Sequence, residues 1–306
     1  MKVLVIGITG MLGSMVYDYL TRNNSLVVAG TIRNKKFRKI FNGENIFEFE
    51  VQNNESKFAL KKILHSFKPD YVINCTGIIK PFCKDSDQKG TKSAIEVNAL
   101  FPHNLSETLL EFDDKIKLIQ IATDCVYSGK NGRYNEMDPH DPIDVYGKTK
   151  SLGEVKLRNT LNLRCSIVGP EIKNGLSLLC WFLQNKNRSN VEGYAHHFWN
   201  GLTTLQFAQY CENIIVGNEF QKLRNINHTI HLVLNETVSK YELLCIFKNV
   251  FNRNVEIKRK YVESEIVDRS LSSLFRDNGE MKMSIAINEL KKYIDNSELF
   301  RKELNR

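Results

Sequence analysis

The stretch KVLVIGITGMLG, residues 2–13, decides the fold. An apolar, β-branched run ends in Gly7, Gly10 and Gly13, and SMVYDYLTRN follows with apolar residues at helical spacing. That order is a buried strand, a tight turn and a helix. Glycine at those places lets the chain turn sharply and lets a pyrophosphate approach the amides at the helix N-terminus, where the backbone dipole is positive. The turn Gly7, Thr9, Gly10, Met11, Leu12 and Gly13 is therefore expected to hold a dinucleotide.

Outward from it, SLVVAGTIR, IFEFEV, PDYVINCTG, KLIQIAT and LNLRCSIVGP read as further strands. Between them SKFALKKILHSF, a segment from about Ala94 to Leu110, and one from Tyr146 to about Leu157 read as helices. Strand alternating with helix predicts an α/β fold, a Rossmann-type doubly wound parallel sheet with its site at the carboxyl ends of the strands. Residues 1–168 are expected to form this dinucleotide-binding domain. Residues 169–306 read as a smaller mixed α/β substrate domain, with some segments packing back on the first: LSLLCWFLQ, TTLQFAQYCENIIV and VSKYELLCIFKNVF as helices, VEGYAHHFWNG as extended chain and TIHLVL as a strand.

Composition narrows the function. The seven cysteines form no CxxC pair and no close framework, which predicts neither a zinc ribbon nor disulfides and points to a reducing cytoplasm. The first strand starts at Lys2, leaving no leader, and no apolar run nears the roughly 20 residues that span a bilayer. A formal net charge of +8 raises the question of nucleic acid, but the cations are scattered and no recognition-helix, RNP or zinc-finger pattern accompanies them. Neither nucleic acid nor a membrane is an expected partner. The one dense early cluster, Arg33, Lys35, Lys36, Arg38 and Lys39, follows the second strand. An NAD site carries an acidic residue there for the ribose 2′-hydroxyl; Ala29 to Arg33 has none, and the Arg33 guanidinium suits a 2′-phosphate, which favours NADPH over NADH.

Tyr146 and Lys150 stand four apart on a helix and share a face. A nearby ammonium and an oxidised nicotinamide would draw the phenol down from about 10 towards the range of a general acid and base. Thr123, ending a strand, can bond the same substrate carbonyl. Cys125, two residues on, is either an acid and base in the reaction or a small apolar side chain in the core.

GITGMLG, NCTG, Asn98 in VNAL, ATDCVYSG and YGKTK together resemble the extended short-chain dehydrogenase/reductases, within them the dTDP-4-dehydrorhamnose reductase-like branch, and LRCSIVGPE and HHFWNGLTTLQFA extend the likeness over essentially the whole chain. The resemblance implies Thr123, Tyr146 and Lys150 as the catalytic set, and Cys75, Thr76 and Gly77 beside the nicotinamide ribose. It implies reduction of a 4-keto sugar on a nucleoside diphosphate, with an upstream 4,6-dehydratase as metabolic partner; a homodimer is among the assemblies it allows. Lys80, Asp124, His196, His197 and Trp199 are the expected substrate contacts, Trp199 either stacking on the base or anchoring the second domain. Dehydratases of the family carry Thr-Asp-Glu where this chain has Thr123-Asp124-Cys125, and GDP-fucose synthase-like enzymes use a cysteine there to move a proton beside the keto group. His196 and His197 would then be candidates for the opposing acid. The likeness to reductases of UDP-linked 2-acetamido-2,6-dideoxy-L-hexoses, of L-rhamnosamine or L-quinovosamine type, suggests that substrate, with C3 epimerisation accompanying reduction. The alternatives are a dTDP-rhamnose or GDP-fucose type enzyme and, in another class, a non-catalytic NADP-binding redox sensor.

Overall fold

The computed structural model describes residues 1–304 apart from 42, 52, 174 and 186–188. In the first half β1 (Lys2–Ile6), α1 (Met11–Leu20), β2 (Val27–Ile32), β3 (Ile46–Glu48), α2 (Asn53–Phe67), β4 (Tyr71–Asn74), α3 (Gln88–Ala94), α4 (Phe101–Phe112), β5 (Lys117–Thr123), α5 (Val145–Leu152) and β6 (Thr160–Cys165) alternate as expected. The second half contributes β7 (Ile167–Val168), α6 (Leu178–Gln184), β8 (Asn190–Tyr194), β9 (His197–Trp199), β10 (Leu202–Thr203), α7 (Thr204–Val216) and α8 (Phe220–Ile226). It continues with β11 (Thr229–His231), β12 (Val238–Ser239), α9 (Lys240–Val250), β13 (Glu256–Lys260), β14 (Val267–Asp268), α10 (Met283–Asn296) and α11 (Glu298–Leu304).

The main sheet runs β11-β6-β5-β4-β1-β2-β3, and every pairing in it is parallel. Strand order reverses between β1 and β4, which opens a crevice at their carboxyl ends. Both faces of the sheet are covered: Val3 and Val5 pack with Met15, Val16 and Phe207 on one side, Leu4 and Ile6 with Leu64, Leu105 and Leu109 on the other. All four strand residues are fully buried, and each apolar side chain of that kind contributes about 1.5–3 kcal/mol. The first of these cores continues without a break into Leu179, Phe182 and Phe247 of the second half. Glu212 on α7 ties down α1 by accepting from Tyr19 Oη (2.9 Å) and Asn23 Nδ2 (2.6 Å).

Three local departures from the sequence expectations shape the site. The strand read as LNLRCSIVGP divides, and β7 pairs with β10 instead of extending the main sheet. The helix after Tyr146 stops at Leu152 with Gly153 as its C-cap, packed so closely on another turn that a Cβ there would lie 1.9 Å from the Asn98 carbonyl oxygen. The helix expected over Ala94 to Leu110 widens into a π-helical turn at Ile95–Leu100. The second half also returns to the first, for β11 pairs with β6 and widens the main sheet to seven strands. Three small sheets, β7 with β10, β8 with β13, and β12-β9-β14, lie beyond it. Among the described residues no helix is long and apolar enough to cross a membrane.

Candidate active site

A cleft of about 910 Å³ opens at the carboxyl ends of β1, β4 and β5, within the range of small-molecule and cofactor sites. Its wall includes Gly7, Thr9, Gly10, Met11 and Leu12 from the glycine turn, Arg33, then Cys75, Thr76, Gly77 and Lys80, and finally Thr123, Asp124, Cys125, Tyr146 and Lys150. Gly13 does not line it. A Cβ on Gly13 would come 2.2 Å from the Gly7 carbonyl oxygen, so this glycine serves the close packing of α1 on the turn. Gly7 has φ +87°, and its amide donates to Thr31 Oγ1 at 2.9 Å. A Cβ on Gly10 would meet only the Gly7 carbonyl oxygen, at 3.5 Å, and otherwise open space. A pyrophosphate fits that cradle of backbone at a helix N-terminus. Arg33 is two-thirds exposed at the far end, 3.9 Å from Glu50.

At the other end Thr123 Oγ1 donates to Asp124 Oδ1 (3.1 Å) and accepts from the Cys125 amide (3.2 Å), and it stands close enough to the Tyr146 hydroxyl to favour its ionised form. Burial pushes Tyr146 up, Cys125 and Asp124 add to that, and Thr123 opposes it. Lys150 Nζ donates to the Ile121 carbonyl at 2.7 Å. Burial pushes Lys150 down to about 8, against the upward pull of Glu154, Cys165 and Cys75. The expected lowering of the phenol by the ammonium is therefore outweighed: desolvation of Tyr146 dominates, and Lys150 is held by a carbonyl.

Cys125 is half-buried in the cleft wall, not closed inside the core. Burial and Asp124 push its thiol up to about 11, while Lys80, Arg269 and the Thr123 bond pull the other way. It is a protonated thiol at neutral pH. Lys80 pairs with Asp144 at 2.7 Å, and Asp144 caps α5 by accepting from the Gly147 amide at 2.8 Å. Asn98 sits in the π-helical turn, a feature common at functional sites. Its side chain accepts from the Ile78 amide (2.8 Å) and donates to the Ile78 carbonyl (2.9 Å) and to Thr149 Oγ1 (3.2 Å). It thereby fixes the loop after β4 against the helix of Tyr146 and Lys150.

The other expected substrate contacts lie elsewhere. His196 is fully buried, with Nδ1 3.2 Å from the Lys260 carbonyl and 3.3 Å from the Val262 amide. His197 is half-buried between the rings of Tyr194 and His196, at centroid distances of 5.0 and 4.6 Å. Trp199 is buried, with Lys240 Nζ 4.8 Å over its ring, as an anchor of the second half would be. None of the three lines the cleft. β9 is the middle strand of a small sheet, and its side chains are taken up by that packing.

Two cations that sequence reasoning missed stand behind Cys125. Arg269 donates to the carbonyls of Tyr127 (3.0 Å) and Ser128 (3.2 Å). Lys240 is pushed down by burial, with Asp124 and Cys125 drawing it up and Arg269 and Lys80 driving it down. Neither has a local sequence signature. Arg164, on β6, was also missed. All five of its N–H groups are used: Nε and Nη2 fork onto Glu154 (2.8 and 2.6 Å), Nη1 donates to Tyr127 Oη and His231 Nε2 (both 2.6 Å), and Nη2 also to His140 Nε2 (2.8 Å). Glu154 lies two residues beyond the end of α5, so this network fixes the chain where the helix of Tyr146 and Lys150 ends. Among the described residues no group of three or more His, Cys, Asp or Glu could hold a metal ion.

Comparison with known proteins places these features. Residues 1–267 match the family model described as "RmlD substrate binding domain". The chain is 26% identical over 275 residues to methionine adenosyltransferase 2 subunit beta of Bos taurus, covering 87% of this chain and 77% of that protein. It is 28% identical over 226 residues to a dTDP-4-dehydrorhamnose reductase of Aggregatibacter actinomycetemcomitans, covering 71% of this chain and 69% of that protein. Among solved structures, a dTDP-4-dehydrorhamnose reductase ortholog from Clostridium acetobutylicum superposes with a TM-score of 0.72 at 20% identity, over 96% of this chain and 100% of that one. A dTDP-4-dehydrorhamnose reductase from Bacillus anthracis in complex with NADP gives a TM-score of 0.71 at 17% identity, over 95% and 99% of the two chains.

Proposed function

The chain belongs to the RmlD substrate binding domain family, and from that premise we propose that it is an NADPH-dependent reductase of the C4 keto group of a nucleotide-linked 6-deoxy-4-keto-hexose. The observation that carries the proposal is the meeting of Thr123, Tyr146 and Lys150 in one cleft with the glycine turn.

Bound NADPH would supply the hydride to sugar C4. Tyr146 delivers the proton to the oxygen at C4: burial keeps the phenol protonated in the free protein, and the positive charges of Lys150 and of the oxidised nicotinamide formed on hydride transfer draw its proton affinity down towards that of a general acid. Thr123, beside the Tyr146 hydroxyl in the cleft wall, holds the same oxygen in line. Lys150 places positive charge beside the cofactor ribose, supported by Glu154. The roles of the glycine turn, Arg33 and Cys75 to Gly77 are to hold the pyrophosphate, the 2′-phosphate and the nicotinamide ribose. Lys80 and Asp124 stand on the sugar side.

Cys125 sits where the family's dehydratases carry glutamate, so water elimination lacks one of the two carboxylates it needs. Once it has given up its own proton, the Cys125 thiolate in the cleft wall would take the proton from C3, which the neighbouring ketone acidifies, leaving an enolate, and the thiol so formed would return it. Epimerisation before reduction requires in addition that a proton reach C3 from the opposite face, and neither His196 nor His197 lines the cleft to supply it. We take the substrate to be a UDP-2-acetamido-2,6-dideoxy-L-hexos-4-ulose supplied by a 4,6-dehydratase, with dTDP- and GDP-linked sugars as the alternatives. The relatives named as a subunit of methionine adenosyltransferase favour a second reading, a dinucleotide-binding protein that acts through a partner.

The test is NADPH consumption with UDP-GlcNAc converted in situ by a dehydratase/5-epimerase, run in deuterated water with wild type and Cys125→Ser. Turnover with deuterium at C3, lost in the variant while reduction survives, supports both steps. Turnover without C3 exchange leaves only the reductase. Tight NADPH binding with no turnover on UDP-, dTDP- or GDP-linked keto sugars favours the partner-acting reading.

A further inference from the structure

Three cations from two distant parts of the chain gather at the end of the cleft away from Tyr146. Arg33 leaves β2; Lys36 follows it; Lys173 comes from the second half, shortly after β7. Arg33 and Lys173 line the same cleft. Lys36 Nζ and Lys173 Nζ stand 5.1 and 5.0 Å from the centroid of one ring, that of Phe37. Carboxylates accompany Arg33 (Glu50, 3.9 Å) and Lys35 (Glu48, 3.5 Å), whereas among the described residues no carboxylate makes an ion pair with Lys36 or Lys173. The arrangement is repulsive in the free protein. Desolvation of its ammonium, then Arg33, and last Lys36 drive Lys173 down to about 8 against the pull of Glu171, although much of the side chain is exposed.

Charges of one sign held together around a cleft are relieved by an anion of the opposite sign. The glycine turn lies at one end of the β1–β2 edge and takes the pyrophosphate, so the group that reaches Arg33 is the adenosine ribose. We propose that Lys173, reaching across from the second half of the chain, completes with Arg33 and Lys36 the site for a ribose 2′-phosphate, so that both halves of the chain set the preference for NADPH over NADH. This rests on the proposal that a nicotinamide dinucleotide occupies the cleft. Glu171, two residues earlier, accepts from the amides of Leu176 (2.7 Å) and Ser177 (3.2 Å), which anchors the backbone from which Lys173 projects.

The experiment is equilibrium binding of 2′,5′-ADP and 5′-AMP, by calorimetry, to wild type, Lys173→Ala and Lys173→Arg, with melting temperatures as the check on folding. Wild type is expected to bind 2′,5′-ADP more tightly than 5′-AMP. Lys173→Ala loses about tenfold on 2′,5′-ADP, the scale of one charge-assisted hydrogen bond, leaves 5′-AMP unchanged, and is rescued by Lys173→Arg. A wild-type preference for 2′,5′-ADP that survives in Lys173→Ala, or an equal loss on both ligands, overturns the role of Lys173 and leaves NADPH standing. Equal binding of both ligands by wild type overturns the NADPH preference itself, and this assignment with it.

Discussion

Replacing Arg164 by methionine tests the network that fixes the chain at the end of α5. Methionine is apolar and fills much of the guanidinium's space, so the main loss is electrostatic. The side chains of Arg164 and Glu154 are only 2% and 7% exposed, and the substitution strands the Glu154 carboxylate together with Tyr127, His140 and His231. Breaking a buried pair from one side costs about 3–5 kcal/mol. With unfolding entropy growing with chain length, each kcal/mol is worth about 1.5 °C here, so Tm should fall by about 5–8 °C. Calorimetry and urea unfolding at pH 7 measure this. Arg164→Met combined with Glu154→Gln should lose less than Arg164→Met alone, because the stranded charge is gone. The pH profile follows from the same groups. The fold holds Glu154 below its usual 4.5, chiefly through Arg164, so its contribution is present above that value and lost as pH falls. Burial and Arg164 push His231 from 6.5 to about 4, so stability is present above 6.5 and is lost as pH falls from there through 4. Wild-type Tm should therefore decline over pH 6.5 to 4, and more shallowly in Arg164→Met. A loss below 1 kcal/mol at pH 7, or a double variant no more stable than the single one, refutes this account of the network.

Tyr146→Phe should lower turnover by about 10²–10⁴, the usual worth of a positioned proton donor, with Tm preserved; undiminished NADPH consumption would remove the tyrosine from the chemistry. Cys125, pushed up to about 11, should be alkylated slowly at neutral pH in the free protein and faster as pH rises, measured by peptide mass spectrometry after iodoacetamide. Rapid labelling at pH 7 would mean a thiolate and a different role. Gly13→Ala drives a methyl to 2.2 Å from the Gly7 carbonyl oxygen and should cost about 1–3 kcal/mol while weakening NADPH binding; a melting curve and dinucleotide fluorescence unchanged from wild type would contradict the packing described for the turn.

What the sequence made legible is what local pattern encodes. The run from Lys2 to Gly13 gave strand, turn and helix; the alternation gave the parallel sheet; and the i, i+4 spacing put Tyr146 and Lys150 on one face. Features built from distant residues were hidden. The edge strand Thr229–His231 looks like any short strand, and only its pairing with β6 makes it part of the main sheet. Nothing in VNAL signals that the helix widens there so that Asn98 can take both backbone groups of Ile78. Arg164 read as a strand residue, though its partners run from Tyr127 to His231. The histidine pair shows the same limit: polar type suggested chemistry, but His196, between β8 and β9, is buried against the backbone of Lys260 and Val262, and His197 lies on a small sheet away from the cleft wall. Lys173 and Lys240 carry no motif and gain meaning only from the groups they face.

The measurement that tests the central claim most directly is transfer of label from the cofactor. NADPH deuterated at C4 of the nicotinamide is incubated with the protein and the 4-keto sugar nucleotide, and the sugar nucleotide is examined by NMR and mass spectrometry. The account predicts one deuterium at sugar C4, formed by wild type and suppressed in Tyr146→Phe. Unlabelled sugar and unchanged NADPH, with the dinucleotide nevertheless bound, would contradict it and leave the cleft as a binding site without hydride chemistry.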